Sequence, residues 1–521
     1  MFRLITNIPP AFHLFLLVLI PLLRWVCFYP GFFLEEEALF LSLAEQLAEG
    51  GTLYKDVWYS GAPLMIWIYK LFVLIFGNGA LTAIRVFTCL YIYIAALYFN
   101  SILTEVKAFR RYAGVTAVMF VLLVSIPWYG LQLSASLMAL VPVIISFSSL
   151  IGLSENRSNN YKLMFRAGLW IMIAILISYK AVFLWVGILL AYIIFRAFQW
   201  DEVVSMLGGM LTVLLILVLS MYAVGSSEAF WDQGVLYYLD RISMTQSALY
   251  PRQLSFALQA WGFSWGVFLL LGMLGFIHFR LRFYSYVAQV RRTEMTTAIW
   301  LIGVMLVFLF KFRRLELSDF VLMVPPLVFY VSKTFDFKIV YRLRRLVWLF
   351  AMAVPVYLYL VFWTMVGGLD LRFFQPQPDQ LLLHGGTYST LGPKDALHQW
   401  WEQYFDDQES LWIMGYDPIL YQTLGVKPAT PFLDFRMAYH KLACFPGDEE
   451  QKIWSKVEGD GPLYERFVEK LPRMLLDTGD YFSYLQARFP GIFSQYRGEK
   501  IGEVRVYMAP DIWRTYQRKR R

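Results

Sequence analysis

Long apolar runs dominate the first two thirds of the chain, with polar positions gathered into short connectors between them. The runs fall at about 9–29, 80–103, 112–130, 131–153, 163–179, 181–198, 205–225, 257–279, 296–311, 318–333 and 346–367. Each is near the length an α-helix needs to cross a hydrocarbon core of about 30 Å. They are continuous and not alternating, so the pattern predicts helices and excludes the short alternating strands of a membrane barrel. The expectation is an all-α polytopic membrane protein with about 11 transmembrane helices. A further apolar stretch, APLMIWIYKLFVLIFG at 62–77, is shorter and has Lys70 near its middle. It reads as a juxtamembrane or re-entrant helix with both ends on the outer side.

The connectors set the orientation. EVKAFRR (105–111), RLRFYSYVAQVRR (280–292) and KTFDFKIVYRLRR (333–345) are the basic ones and belong on the cytoplasmic side with the N-terminus. KFRRLELS (311–318) then falls outside with three basic residues, against the rule, and an anionic head group would explain it. The first run lacks a small-residue cleavage site and reads as a retained anchor. After about residue 367 the composition turns polar, with Pro and Gly punctuation. SLWIMG reads as a buried strand and DPILYQTLG as a short helix with Asp417 and Gly425 at its ends. LPRMLLDTGDYFSYLQARFP adds a strand–helix unit, and GEVRVYMAP a closing strand. The expected organisation is a transmembrane domain over 1–367, its first outside loop at 30–79, and a small C-terminal soluble α/β domain over 368–521, outside the membrane.

Composition agrees: 58% of the residues are hydrophobic and only 16% charged. The net charge of +8 is spread over the connectors, so it is no sign of nucleic acid. The terminal RTYQRKRR reads as a solvated basic tail, with anionic lipid as the other reading. Three cysteines and five scattered histidines form no metal or disulfide pattern.

The chemistry concentrates in the first outside loop, FFLEEEALFLSLAEQLAEGGTLYKDVWYSGAPL. Leu39, Leu43, Ala44 and Leu47 recur at helical spacing, opposite Glu45, Gln46 and Glu49, and Gly50–Gly51 end the pattern. This predicts an amphipathic helix at the membrane interface whose first turn holds Glu35, Glu36 and Glu37, where the helix dipole favours negative charge.

Glu36–Glu37–Ala38–Leu39–Phe40, the glycine pair, LYKDVW (Leu53 to Trp58) and GAPL (Gly61 to Leu64) together resemble the first loop of the C-superfamily glycosyltransferases. Those enzymes read roughly D-E-A-x-Y-A, then P-Y-x-D-x-W, then K-P-P-L. They use polyprenyl-phosphate sugars and include the protein mannosyltransferases and the lipid A aminoarabinose transferases. ISYKAVFL (177–184) and KFRRLELSDFVLMVPPLVFY (311–330) are similar to later family blocks, but only 32–103 is specific.

The resemblance implies a sugar donor on a polyprenyl phosphate, a glycolipid, glycan or protein acceptor, and inverting transfer on the outer face of the cytoplasmic (inner) membrane. Glu36 would be the base and Glu37 its neighbour that orients the acceptor. Lys180, Arg313, Arg314, Arg241 and Arg252 would be candidates for the carrier phosphate. Asp56 and Tyr59 would be acceptor or loop residues, and a turn role for Asp56 is the other reading. The chain departs from the family at three places. Glu36 replaces the usual Asp, Gly61 stands where K-P-P-L has its lysine, and Ser134 occupies a region where many relatives carry a second acid. The metal-assisted mechanism thus has little support, and a divalent metal stays open. An alternative function also stays open: a catalytically degenerate relative that binds a lipid or partner protein in the cell envelope.

Overall fold

The computed structural model describes residues 9–28, 35–57, 59, 61–109, 114–125, 132–153, 157–195, 199–236, 269–281, 288–310, 317–334, 396–405, 410–414, 418–428, 472–477, 482–483, 486, 493–501 and 504–520. The expected crossing at 346–367 lies outside them. The helices run in chain order as α1 (Pro10–Leu23), α2 (Glu35–Ala48), α3 (Pro63–Phe76), α4 (Ala80–Glu105), α5 (Val115–Ser125) and α6 (Ala135–Ile151). They continue as α7 (Arg157–Ile177), α8 (Val182–Phe195), α9 (Trp200–Val224), α10 (Leu269–Leu281), α11 (Ala288–Phe310) and α12 (Val324–Thr334). The C-terminal part follows as α13 (Ala396–Tyr404), β1 (Ser410–Met414), α14 (Pro418–Leu424), β2 (Lys427–Pro428), β3 (Met474–Asp477), β4 (Arg497–Ile501), β5 (Val504–Met508) and α15 (Pro510–Arg520).

Two compact units result. One is Met1–Pro30 with Ser60–Leu369, and the other is Gly31–Tyr59 with Asp370–Arg521. Most of the first outside loop thus shares a unit with the C-terminal segment.

In the first unit, three helical stretches among the described residues are long and apolar enough to cross a bilayer: Pro63–Glu105, Asn160–Ile177 and Trp200–Val224. Shorter apolar helices accompany them. Within the first stretch, Gly77 takes φ 52 and ψ −125 and separates α3 from α4, which pack on each other. α3 alone has 14 residues, or about 21 Å at helical rise. α1 and α8 have the same length. Every residue of α5 is buried, as a helix apolar on all sides requires, and every residue of α12 is buried too, including Ser332, Lys333 and Thr334 in its last turn. By contrast α9 exposes Val204, Leu211, Leu215, Leu219 and Tyr222, the face a lipid-contacting helix presents.

Close backbone contact joins α7 to α9. A Cβ on Gly168 would lie 1.9 Å from the Met206 carbonyl oxygen, and one on Gly209 would lie 2.2 Å from that of Phe165. Small residues let two membrane helices approach this closely. Ser205 Oγ donates to the Tyr161 carbonyl at 2.8 Å, and Asn160 Nδ2 donates to Glu202 Oε1 at 3.2 Å.

The second unit holds a five-stranded sheet of order β2-β1-β3-β5-β4. β1 pairs in parallel with β2 and β3, while β5 is antiparallel to β3 and β4. The expected strands at SLWIM, MLLD and VRVYM are present. The terminal segment differs from the expected solvated tail. It forms α15, with Ile512 and Tyr516 buried, because the i, i+4 spacing of these two residues gives it an apolar stripe. Tyr516 accepts a hydrogen bond from Trp400 Nε1 at 3.2 Å, and Lys519 Nζ donates to the Tyr404 carbonyl at 2.8 Å. The basic side chains Arg514, Arg518, Lys519 and Arg520 are exposed.

Candidate functional site

The acidic loop is built on α2. Its first turn carries Glu35, Glu36 and Glu37. Gly50 ends it with φ +106, a conformation that other residues adopt only with strain. The helix is more deeply covered than an interfacial amphipathic helix would be. Ala38, Leu39, Phe40, Leu41, Leu43, Ala44 and Leu47 are all buried, and Glu45 and Glu49 are exposed. Glu36 is half-buried, while Glu37 is only 2% exposed.

Phe40 follows Glu36 by one turn and lies on the same helix face. The Tyr59 ring packs edge-on against Phe40, with centroids 6.3 Å apart and planes at 84°. Tyr59 therefore sits next to the Glu36 face. Asp56 closes the intervening turn: its Oδ2 accepts from the Thr52 N–H at 2.9 Å, and its own N–H donates to the Thr52 carbonyl at 2.8 Å. Tyr54, with φ 69 and fully buried, donates its N–H to the Val57 carbonyl at 2.9 Å. The LYKDVW block is thus a closed turn, and Asp56 is the side chain that closes it.

Lys180 belongs to the other unit. It lies in the one-turn 3-10 segment Tyr179–Ala181 between α7 and α8 and is half-buried. Ser134 is fully buried and caps α6, its Oγ accepting from the Leu137 N–H at 3.1 Å. Gly61 precedes Pro63 at the start of α3. The structure thus groups Glu36, Glu37, Asp56 and Tyr59 on one short segment, with Lys180 in the other unit. Arg241, Arg252, Arg313 and Arg314 lie outside the described residues.

Two buried arginines were not singled out from sequence. Arg24, just after α1, is 1% exposed, and Arg85, in the second turn of α4, is 5% exposed. Arg85 Nη1 donates to the Cys27 carbonyl, and Arg24 hydrogen-bonds the Cys89 thiol. Since Cys89 lies one turn beyond Arg85, both guanidinium groups converge on the corner between α1 and α4. An arginine inside an apolar run was the available signal, because such residues are costly in membrane and mark functional or packing sites. Among the described residues, no group of three or more His, Cys, Asp or Glu is arranged to hold a metal ion.

No family model matches the chain, and no curated protein sequence does. Solved structures do. ArnT from Cupriavidus metallidurans bound to undecaprenyl phosphate is 13% identical, with a TM-score of 0.53 over 94% of this chain and 97% of that one. The apo form of ArnT gives 0.50 at the same identity and coverage. The apo oligosaccharyltransferase of Archaeoglobus fulgidus gives 0.47, at 13% identity, over 94% of this chain and 73% of its own. The chain therefore shares its fold with ArnT, with apolar helices in one unit and a small C-terminal sheet in the other.

Proposed function

We propose that the protein is a membrane glycosyltransferase that moves a sugar from a polyprenyl-phosphate carrier to a glycolipid, glycan or protein acceptor on the outer face of the inner membrane. One observation carries the reading. The segment whose sequence is in register with the family's acidic loop is a helix start bearing a half-buried Glu36 beside a buried Glu37. The likeness of the whole fold to ArnT bound to undecaprenyl phosphate supports the choice of carrier.

In this reading Glu36 accepts the proton of the acceptor hydroxyl or amine as that atom attacks the anomeric carbon. The bond from that carbon to the phosphate oxygen breaks, and the electron pair leaves on the phosphate. The configuration inverts. Glu37 holds the acceptor's orientation, and Tyr59 and the turn closed by Asp56 shape its entry. Cations stabilise the departing phosphate: Lys180, Arg241, Arg252, Arg313 and Arg314 are the candidates from sequence.

Glu36→Gln and Glu36→Ala should each reduce transfer by about a hundredfold or more while protein level and undecaprenyl phosphate binding stay normal. Wild-type envelope glycans in cells carrying either variant would overturn the role of Glu36.

The alternative is a relative that has kept the architecture and binds a lipid or partner protein without transfer. It is favoured by Ser134, whose hydroxyl caps α6 in a region where many relatives carry an acid, and by Gly61 in place of a lysine. Carrier binding without turnover in the wild-type protein would select it.

A further inference from the structure

The helix that carries Glu36 is gripped by one side chain from the C-terminal segment. Gln422, on α14, donates from the same Nε2 to Ser42 Oγ at 3.0 Å and to Glu45 Oε2 at 2.9 Å. An amide nitrogen has two hydrogens, and both are used here. Ser42 and Glu45 are three residues apart on α2, so they are neighbours on one helix face. A single donor bridging them sets both the rotation of α2 about its axis and its position along that axis. At 3.6 residues per turn, Glu45 lies roughly 180° around the helix from Glu36 and Ser42 roughly 120°. The grip is thus on the back of the helix, and Glu36 projects away from it.

α14 is itself anchored firmly. The Tyr421 hydroxyl is buried and accepts from the Ile413 N–H of β1 at 2.9 Å. Burial raises the phenol above its ordinary pKa despite that bond, so it stays protonated. Leu420 and Leu424 are buried, and Gly425 ends the helix with φ +64. β1 lies between β2 and β3 in the sheet. A continuous chain of contacts therefore runs from the sheet through Tyr421 and Gln422 to α2.

We propose that Gln422 is a positioning residue for Glu36: through Ser42 and Glu45 it ties the direction of that carboxylate to the C-terminal sheet. The functional consequence rests on Glu36 being the base, but the coupling itself does not.

The test uses the full chain in lipid nanodiscs and two readouts that need no substrate. One is amide hydrogen exchange over 37–49, and the other is the pH midpoint of carbodiimide labelling at Glu36, read by mass spectrometry. Gln422→Glu places a carboxylate against Glu45. It should speed exchange in α2 by about tenfold and shift the labelling midpoint. Adding Glu45→Gln restores an amide–carboxylate pair of reversed polarity and should return both readouts toward wild type. Ser42→Ala with Glu45→Ala attacks the same contact from the α2 side, leaves the sheet intact, and should reproduce the faster exchange of Gln422→Glu. Unchanged exchange and labelling in Gln422→Glu, or failure of the reversed pair to restore them, would overturn the proposal. If the coupling holds while Glu36→Gln leaves transfer intact, the proposed chemistry fails and the coupling stands.

Discussion

At the residue scale, the chain shows how a membrane helix tolerates an internal proline. Pro142 lies inside α6 and has no N–H to give the Met138 carbonyl. The Tyr91 hydroxyl of α4 donates to that carbonyl and accepts from the Val141 N–H at 3.2 Å. One phenol therefore supplies the donor that the proline lacks and also takes up the Val141 N–H. Tyr91→Phe should destabilise the protein by about 1–2 kcal/mol, since it orphans a carbonyl where no water can replace the donor. Thermal unfolding in detergent reads this, and an unchanged midpoint would refute it. In the C-terminal unit, Asp511 pairs with Arg473 at 2.5 Å near the start of α15. Burial raises its pKa, but the hydrogen bond and charge of Arg473 and the helix-start N–H outweigh that and hold it below the ordinary range. A lowered folded-state pKa means the stabilisation is present above the unfolded value and fades as pH falls through the folded one. Stability should therefore drop slightly below about pH 4, and Asp511→Asn should flatten that limb. Both partners are more than half exposed, so the effect should stay within about 1 kcal/mol.

Elements meet most closely where α7 crosses α9. Glycines at 168 and 209 each face the other helix's backbone, so neither position accepts even a methyl group without a shift. Gly168→Ala should cost about 1–3 kcal/mol by forcing the pair apart, and Gly209→Ala should cost a similar amount. Detergent-resistance and melting measurements test both, with the exposed Gly79→Ala as a neutral control. The crossings themselves were legible in the sequence, because a long continuous apolar run is stable only when lipid or a deep core covers it on all sides. The glycine contacts were not, since a glycine in an apolar run does not say which neighbour it approaches. The same difference applies at the site. The helix that starts with Glu35, Glu36 and Glu37 could be read from local spacing, and so could the turn that Asp56 closes. The grip of Gln422 on Ser42 spans 380 residues of chain, and no local pattern reports it. The deep cover of α2 was missed because Leu39, Leu43 and Leu47 mark one face, while Phe40 and Leu41 are buried on others. β4, with the sequence RGEKI, has little strand preference and exists through its pairing with β5. α15 was hidden by its charge, although Pro510 and Asp511 at its start and the Ile512–Tyr516 spacing signalled a helix.

On the scale of the whole molecule, the division of the chain does not follow the division of the sequence. Gly31–Tyr59 is flanked on both sides by segments of the membrane unit, yet it shares a compact unit with Asp370–Arg521. Leu43, Ala44 and Leu47 of α2 are buried, and α2 packs on α14. A chain ending at Leu369 would leave that packing unmade. Each leucine returned to water forfeits roughly 1.5–3 kcal/mol, more than a short isolated helix can supply from its own hydrogen bonds. The truncated chain should therefore still insert, because the membrane unit keeps its own buried helices, but α2 and the turn after it should open. Lys55 is exposed in that turn and offers a tryptic site. Cleavage there should accelerate at least about tenfold in the truncated chain, while the remaining fragments stay in the membrane fraction. Equal cleavage rates in full-length and truncated protein would show that the acidic loop holds its shape without the C-terminal segment. Faster cleavage would instead make that segment part of the fold of the loop bearing Glu36, and any transfer would be expected to fail with it.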